Sequence, residues 1–371
     1  MTSLHADRIA RLTEALPEHA LDAVVLLPGP NLIYYTGLSF HLMGRPTLAV
    51  LSRGQAPALL VPELERLKAE GSPLGGRIFS YGEDPAARRA AFGELASHLS
   101  LAKLRLGVEP LRMRWMEQQL LLEAAPGVRL GSAEAVLEPL RAVKSPAELA
   151  SIEHAMAVAE AALGATLPSI RAGMTEREAA SELTLQLLKA GSDPELPFNP
   201  IAASGPNAAL PHAVPTDRRL QVGDLLILDW GATVDGYISD LTRTFALGRV
   251  EPEWHKVHAA VAEANAAGRM AVRPGAACRE VDHAARSVVE AAGYGPKFLH
   301  RTGHGIGLEA HEPPYIRADN EALLATGMTF TVEPGIYLEG RGGIRIEDNV
   351  VVTADGGRTL SRLDRDLIVL A

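Results

Sequence analysis

The stretch GDLLILDWGATVDGYISDLTRTF, residues 223–245, constrains the fold more than any other part of the chain. The apolar run before its first aspartate predicts a buried strand, and Asp235-Gly236 predicts a two-residue hairpin turn. Such a turn places Asp229 opposite Thr242, so that Asp229 and Asp240 project from one face as diagonal neighbours. Like charges that close are unfavourable without a cation between them, so a metal ion is one interpretation. The other interpretation is that the two aspartates are unrelated and lie on a solvent-facing β-ribbon.

Composition places the chain among globular proteins with more than one domain. Its 371 residues predict two or three domains, and a content of 47% hydrophobic and 22% charged residues provides a sizeable core. The net charge of -9, with no long basic run, argues against nucleic acid or an anionic membrane as a partner. The single cysteine, Cys278, excludes an intrachain disulfide, and no apolar run is typical of a signal peptide or transmembrane helix. We therefore expect a cytoplasmic protein.

Residues 1–144 predict an α/β domain with a mixed sheet, because short apolar strands alternate with helical stretches. The segment NLIYYTGLS, which starts at Asn31, is interpreted as a strand that runs into a loop. The segment SPAE at Ser145 has the pattern of a capping box, which predicts a helix start and a domain boundary. Residues 145–371 then combine helix pairs with strand hairpins, which is typical of an α+β domain.

A second chemical feature is His304, in the run RTGHGIGLEAHEPP. Gly303, Gly305 and Gly307 surround this histidine, and glycines let a backbone approach a ligand closely. The run ends in HEPP, so it cannot open the helix that a dinucleotide-binding loop needs, and His311 lacks the second histidine of a zinc helix motif. A glycine-rich turn with structural histidines is the alternative interpretation.

Two more acids lie in segments with strand-like alternation. In MTFTVEPGIY, Glu333 shares a face with Thr331, and in GGIRIEDNVVV, Glu347 shares a face with Arg345. Glycines between the two segments permit a bend, so both glutamates can converge from a hairpin-like pair. Arg345 accounts for one buried acid as a salt-bridge partner, but it does not account for four strand-borne acids and a histidine.

Two aspartates, two glutamates and one histidine form a donor set that is rich in oxygen and contains one imidazole. This set suits a pair of divalent ions with some carboxylates bridging them. Two such ions, about 3.5–4 Å apart, lower the pKa of a shared water towards neutrality. The pattern therefore predicts a dinuclear metal hydrolase that attacks an amide carbonyl.

These motifs resemble those of the metallopeptidases with the pita-bread fold, which include methionine aminopeptidase, aminopeptidase P and prolidase. The resemblance rests on DWG…SDLTRTF, GHGIGLEAHEPP, TVEPGIY and GIRIEDN, in that order, and covers residues 145–371. It implies that Asp240 and Glu347 bridge two ions and that Glu333 also moves a proton. The metal ligands that it implies are Asp229, Asp240, His304, Glu333 and Glu347. The histidines that it implies near the substrate are His212, His300 and His311.

The N-terminal half resembles the extra domain of prolidase, aminopeptidase P and creatinase, through the motif NLIYYTG. The resemblance implies hydrolysis of the Xaa-Pro bond in proline-containing dipeptides or oligopeptides, with manganese, cobalt or zinc as the metal. We favour an Xaa-Pro dipeptidase, and aminopeptidase P is the alternative within the family. A non-catalytic pita-bread binding protein and a creatinase-type amidinohydrolase are further alternatives. The complete ligand set argues against both.

Family members commonly form dimers, so the resemblance implies a homodimer with the N-terminal domain of one subunit near the active site of the other. Arg45 and Tyr34 are therefore candidates for specificity contacts. A dipeptidase must bind a free carboxylate directly after proline, and an arginine can do so bidentately. Arg45 and Arg345 are both candidates for this contact. An ordinary solvated loop residue is the alternative interpretation of Arg45.

Overall fold

The computed structural model describes residues 4–72 and 75–370. Contacts within the chain divide it into one unit that ends at Leu140 and a second unit that starts at Arg141. Among the helices of these ranges, none has the length and apolar character needed to cross a membrane.

The first unit is built on a six-stranded mixed sheet in the order β4-β3-β2-β1-β5-β6, which confirms the predicted α/β architecture. Strand β1 pairs antiparallel with β2 and parallel with β5. The strands are β1 (Ala23–Leu26), β2 (Leu48–Ser52), β3 (Ala58–Pro62), β4 (Arg77–Tyr81), β5 (Arg105–Val108) and β6 (Arg129–Ser132). The helices are α1 (Leu4–Ala15), α2 (Pro30–Thr36), α3 (Arg66–Glu70), α4 (Pro85–His98), α5 (Trp115–Ala124) and α6 (Glu134–Ala142), which ends just beyond Leu140.

The interpretation of NLIYYTGLS as a strand running into a loop is wrong, because most of it forms helix α2. Pro30 occupies the first helical position, where its missing N–H is not needed, and Gly37 ends the helix with φ of 71°. Tyr34 lies within this helix, is only 3% exposed and donates its hydroxyl to the Leu140 carbonyl at 2.9 Å. This placement gives Tyr34 a structural role in the first unit rather than an exposed ring for a substrate.

The second unit contains two main sheets and two pairs of long helices, as expected for an α+β domain. The sheets have the orders β19-β11-β8-β7 and β13-β12-β14-β17-β18, and two short hairpins are β9-β10 and β15-β16. The helices are α7 (Pro146–Thr166), α8 (Glu176–Ala190), α9 (Pro252–Met270) and α10 (Cys278–Ala291). The strands are β7 (Ile201–Ser204), β8 (Leu225–Trp230), β9 (Thr233–Val234), β10 (Tyr237–Ile238), β11 (Leu241–Leu247), β12 (Gly303–Gly305), β13 (Glu312–Ile316), β14 (Thr329–Val332), β15 (Gly335–Leu338), β16 (Gly342–Arg345), β17 (Asp348–Thr353), β18 (Gly356–Thr359) and β19 (Ile368–Leu370).

Local signals in the sequence explain where several of these elements begin. The capping box at Ser145 is present, because the Ser145 hydroxyl accepts from the Glu148 N–H and the Glu148 carboxylate accepts from the Ser145 N–H. The predicted hairpin is also confirmed. Asp235 and Gly236 form the turn with φ of 53° and 77°, and Asp229 pairs with Thr242.

Helices α7 and α8 pack their apolar side chains against strands β8 and β11. Trp230 follows Asp229 on β8 and is fully buried, and its indole N–H donates to the Ala159 carbonyl of α7 at 2.9 Å. Because side chains alternate along a strand, this packing of Trp230 leaves Asp229 on the opposite face.

The glycines around His304 permit close strand packing. A Cβ atom at Gly303 would lie 1.8 Å from the Thr331 carbonyl oxygen, and one at Gly305 would lie 2.3 Å from the Pro313 oxygen. At Gly307 a Cβ atom would meet the Glu312 carboxylate at 2.5 Å. Only glycine at positions 303 and 305 therefore lets β12 approach the backbone of its neighbours.

The variant Gly303→Ala is expected to lower the free energy of unfolding by at least about 3 kcal/mol, the upper range for overpacking a core. The matched variant Gly164→Ala, in helix α7 with no atom near the added Cβ, is expected to raise it by about 0.5–1 kcal/mol. Urea unfolding of both variants measures these changes. Equal stability of Gly303→Ala and the wild type would contradict the close-packing role.

Candidate metal centre

Strands β8 and β11 bring Asp229 and Asp240 to one place in the second unit. Asp229 lies opposite Thr242, as the hairpin register predicts. The Asn349 side chain fixes the backbone of Asp240, since it accepts from the Asp240 N–H at 3.0 Å and donates to the Asp240 carbonyl at 2.7 Å. The side chain of Asp240 is therefore presented from a rigid main chain.

Glu333 and Glu347 lie where two strands leave one sheet and enter a small hairpin. Val332 pairs with Asp348 in the five-stranded sheet, whereas Gly335 pairs with Arg345 in the hairpin β15-β16. Pro334 has no N–H to continue the first ladder, which explains the break at this point. The predicted convergence of the two glutamates from a hairpin-like pair is confirmed, with each strand interrupted at the acid.

The imidazole of His304 lies among these acids, on the short strand β12. His304 Nε2 is 3.2 Å from Glu333 Oε1 and 3.7 Å from Asp240 Oδ2. One ligand atom each from Asp240, His304 and Glu347 can be chosen so that all lie within 4.8 Å of one another. The structure therefore brings together the side chains that the sequence singled out as metal ligands.

Asp229 joins this cluster through Thr242 and Arg345. The Thr242 hydroxyl donates to Glu347 Oε2 at 2.6 Å and accepts from Arg345 Nε at 3.1 Å. Arg345 Nη2 donates to Asp229 Oδ2 at 2.5 Å. The other oxygen, Asp229 Oδ1, is buried and has no hydrogen-bond partner among the residues described.

Burial controls the electrostatics of the acids. It raises the pKa of Asp240 well above 3.8, and repulsion from Glu347 and Asp229 adds to the effect. Burial likewise raises the pKa of Glu347 well above 4.5, and Glu333 and Asp229 repel its charge. Burial also acts to raise the pKa of Glu333, but the hydrogen bond and charge of His304 outweigh it and lower this pKa to about 2.

This arrangement fits divalent cations. Crowded, buried carboxylates repel one another, and a cation is the group that removes this repulsion. The unpartnered Asp229 Oδ1 is an oxygen donor that the protein itself leaves unused among the described residues. Carboxylate oxygens with one imidazole nitrogen suit manganese, cobalt or zinc.

Arg345 differs from its expected role. The sequence suggested a pair with a neighbouring glutamate or a contact with the substrate carboxylate, but its ion pair is with Asp229. Its remaining nitrogens donate to the Thr242 hydroxyl, the Tyr337 hydroxyl and the Pro211 carbonyl. The side chain is only 3% exposed, so these protein acceptors occupy the guanidinium.

Tyr337 is a site residue that the sequence analysis missed. Its hydroxyl lies 2.9 Å from Arg345 Nη1 and 2.9 Å from His300 Nε2, so it links these two side chains. Burial raises its pKa to about 12. The one signal in the sequence was strand alternation. Tyr337 and Glu333 are separated by an even number of positions in TVEPGIY, so a strand places both side chains on the same face.

The three predicted histidines surround the acids. His300 Nδ1 lies 2.8 Å from the Arg301 carbonyl and 4.0 Å from Glu333 Oε2, and burial lowers its pKa. The His311 ring centroid is 3.9 Å from that of His304, and burial followed by repulsion from His304 lowers the His311 pKa to about 4. His212 is exposed, and its charge contributes to lowering the pKa of both His300 and His311.

Glu176 anchors the loop that carries His212, and the sequence analysis did not single it out. This fully buried carboxylate accepts from the backbone N–H and the hydroxyl of both Ser204 and Thr216, at 2.6–3.1 Å. It also accepts from the Asn207 side-chain amide. Glu176 therefore holds the segments on both sides of His212, a function that local sequence cannot reveal.

Glu312 fixes the strand that follows His311. Its carboxylate is buried and accepts from Lys144 Nζ at 2.6 Å and from the Arg141 guanidinium.

In the first unit, the predicted contact residue Arg45 forms an exposed ion pair with Glu83 at 2.6 Å.

Comparisons with known families and proteins agree with this geometry. Residues 150–354 match Metallopeptidase family M24, and residues 8–143 match the Creatinase/Prolidase N-terminal domain. The "Probable dipeptidase PepE" of Mycobacterium tuberculosis is 35% identical, with 99% of this chain and 97% of the relative covered. The "Xaa-Pro dipeptidase" of Pyrococcus horikoshii is 33% identical, with 98% and 99% covered.

A solved prolidase from Thermococcus sibiricus is similar in fold to this chain. It superposes with a TM-score of 0.93 at 30% identity, and the comparison covers 100% of both chains. The likeness confirms the predicted fold class, an α/β creatinase-like domain followed by an α+β pita-bread domain.

Metal-free protein is expected to become less stable as pH rises. Asp240 and Glu347 have folded-state pKa values above their ordinary 3.8 and 4.5, so the folded state binds protons more readily. This stabilisation is complete below the ordinary values and is lost as pH rises through the raised ones. Asp240→Asn should raise the free energy of unfolding at pH 8 by at least about 1 kcal/mol, because one pKa unit equals about 1.36 kcal/mol.

Urea unfolding of chelator-treated wild type and Asp240→Asn at pH 5.5 and pH 8 measures this effect. Subtracting the free energies of unfolding of the two proteins at each pH removes the contribution of the titrating groups that both contain. Added Mn²⁺ should stabilise the wild type at pH 8 and have little effect on Asp240→Asn. An identical pH dependence of the free energy of unfolding in both proteins would show that ionisation of Asp240 does not destabilise the metal-free protein.

Proposed function

Because this chain belongs to metallopeptidase family M24, we propose that it hydrolyses the Xaa-Pro bond of dipeptides and depends on divalent metal ions. The observation that carries the proposal is the convergence of four carboxylates and the His304 imidazole in the M24 domain. Relatives named dipeptidase and Xaa-Pro dipeptidase, with 33–35% identity over nearly the full chain, support the choice of substrate.

The residues proposed to hold the metal are Asp229, Asp240, His304, Glu333 and Glu347. We propose two ions that Asp240 and Glu347 would both help to hold, because burial and neighbouring acids raise the pKa of these two carboxylates well above its ordinary value and bound cations would balance their charge. When bound, the ions activate a water molecule and polarise the peptide carbonyl. Manganese, cobalt and zinc all suit these donors, and metal supply decides among them.

Glu333 is proposed to move the proton in the reaction. A carboxylate that helps to hold a metal ion is ionised at neutral pH, so Glu333 can accept a proton from the attacking water. The Thr331 hydroxyl, which donates to Glu333 Oε1 at 3.2 Å, holds the carboxylate in position. Glu333 then returns the proton to the proline nitrogen as the peptide bond breaks.

The histidines are proposed to orient the substrate. His311 has a pKa of about 4, so it is neutral at pH 7 and can donate one N–H to the substrate carbonyl oxygen. His300 is held by Tyr337 on one side and by the Arg301 carbonyl on the other. His212 lies on the anchored loop, exposed to solvent, where it can contact a bound peptide.

The purified protein is expected to cleave Ala-Pro in the presence of Mn²⁺, and a chelator should abolish the activity until metal is returned. Amino-acid release from Ala-Pro and Ala-Pro-Ala measures both dipeptidase and aminopeptidase activity. Preferential cleavage of the tripeptide would assign the chain to aminopeptidase P instead. Metal-loaded protein that cleaves neither peptide would favour the binding-protein alternative, and urea release from creatine would identify an amidinohydrolase.

A cytoplasmic homodimer is proposed as the form in which the enzyme acts. The buried, unpaired thiol of Cys278 is compatible with a reducing compartment. On the first unit, Leu111, Trp115 and Met43 are 92%, 71% and 53% exposed. Arg114 donates to the Met43 carbonyl at 2.6 Å, so these apolar side chains lie on neighbouring segments that a second copy can cover.

Sedimentation velocity is expected to show a dimer for the wild type and for Trp115→Phe. Trp115→Ser should shift the protein towards monomer at low micromolar concentration, because it removes apolar surface from the proposed interface. A monomeric wild type would contradict the proposed dimer.

A further inference from the structure

Arg301 lies beside the proposed metal centre without an acidic partner among the described residues. It precedes strand β12 by two positions, and His304 lies on that strand. Its Nη2 atom is 3.1 Å from His311 Nδ1, and its guanidinium carbon is 4.6 Å from the Tyr315 ring centroid. We propose that Arg301 binds the free carboxylate of the substrate proline and thereby selects dipeptides over longer peptides.

The proposal rests on the proposed function and identifies the residue that distinguishes dipeptides from longer peptides. In a dipeptide the carboxylate belongs to the proline whose nitrogen leaves. The carboxylate is therefore on the same residue as the leaving nitrogen. It lies closer to the bond that breaks than the length of one residue, which is about 3.8 Å between successive Cα atoms. A cation that recognises it must lie close to the groups that contact the scissile bond.

Arg301 lies close to the centre, with one histidine ring between them. The guanidinium is hydrogen-bonded to the His311 ring, which lies tilted against the His304 ring with 3.9 Å between centroids. The guanidinium is thus separated from a proposed metal ligand by a single imidazole. It is also half-buried, so it is open to a bound peptide but partly shielded from bulk solvent.

The contacts of Arg301 favour carboxylate recognition. A guanidinium can only donate, so His311 Nδ1 is the acceptor, and the other N–H groups of Arg301 remain for a substrate. The Tyr315 ring restricts the orientation of the guanidinium plane through a cation–π contact. A planar pair of N–H groups held in this way matches the two oxygens of a carboxylate.

Other basic side chains that contact the histidine-bearing segments are already neutralised by acids. Arg286 donates to the His300 carbonyl but forms its ion pair with Asp282. The neutralised pairs are Arg345 with Asp229, Lys144 with Glu312 and Arg286 with Asp282. Arg301 is therefore the arginine of this region whose charge is available, among the described residues, for a substrate anion.

The test compares Ala-Pro with Ala-Pro-NH2, which lacks the charge of the carboxylate, and with Ala-Pro-Ala. Arg301→Gln keeps a donor for His311 but removes the positive charge. We expect it to lower kcat/KM for Ala-Pro by about 10- to 100-fold, mainly through KM, as for the loss of a charge-assisted hydrogen bond. The value for Ala-Pro-NH2 should change by less than about 3-fold, since that substrate is neutral at this position.

Two matched variants complete the test. Arg301→Lys keeps the charge and should retain part of the preference for Ala-Pro. Arg317→Gln removes an exposed arginine paired with Asp319 at 3.0 Å and should leave both substrates unaffected. Equal losses on Ala-Pro and Ala-Pro-NH2 would overturn the proposal, because Arg301 would then act only through His311.

Inhibition by product tests the same point without a variant. Free proline should inhibit the wild type more strongly than prolinamide does, and Arg301→Gln should remove the difference. Equal inhibition of the wild type by both compounds would overturn the role of Arg301. A wild type that fails to cleave Ala-Pro at all would overturn the proposed function itself, which separates the two failures.

Discussion

Repulsion among buried carboxylates is the constraint on which the second unit depends. Burial raises the pKa of Asp240 and Glu347, and each repels the other acids around it. Such groups stay together in a folded chain only if rigid neighbours hold them and cations balance their charge. The protein supplies the rigid neighbours mainly from neutral groups, namely Asn349 at Asp240 and Thr242 at Glu347. Arg345 is the cation that pairs directly with one of the acids, Asp229.

The sheets present the donors at interruptions of regular pairing. Glu333 and Glu347 lie where strands leave the five-stranded sheet for a small hairpin, and His304 lies on a three-residue strand flanked by glycines. At such positions the regular ladder ends or shifts register, as it does between His304 and Gly305, and the donor side chain can face the centre. The backbone around it remains part of a sheet, which keeps the donor in a fixed position.

The sequence predicted the architecture and the cluster of acids well. The mixed sheet, the hairpin turn at Asp235-Gly236 and the capping box at Ser145 are all present. The interpretation of NLIYYTGLS was wrong, since short apolar segments with aromatic residues do not distinguish helix from strand by pattern alone. The close packing that the glycines near His304 permit was not predicted. Whether a missing Cβ faces a ligand or a neighbouring strand depends on contacts that are not local.

By itself the sequence determined the kind of donors, their order and the local turns that orient them. Alternation along a strand, turn dipeptides and helix caps depend on residues a few positions apart, so they can be read directly. Only the tertiary structure decided which cation meets which acid. Arg345 pairs with Asp229 across 116 positions of the chain, and Glu176 holds the segments around His212 from a separate helix. These partners are selected by packing in three dimensions, and no spacing in the sequence records that choice.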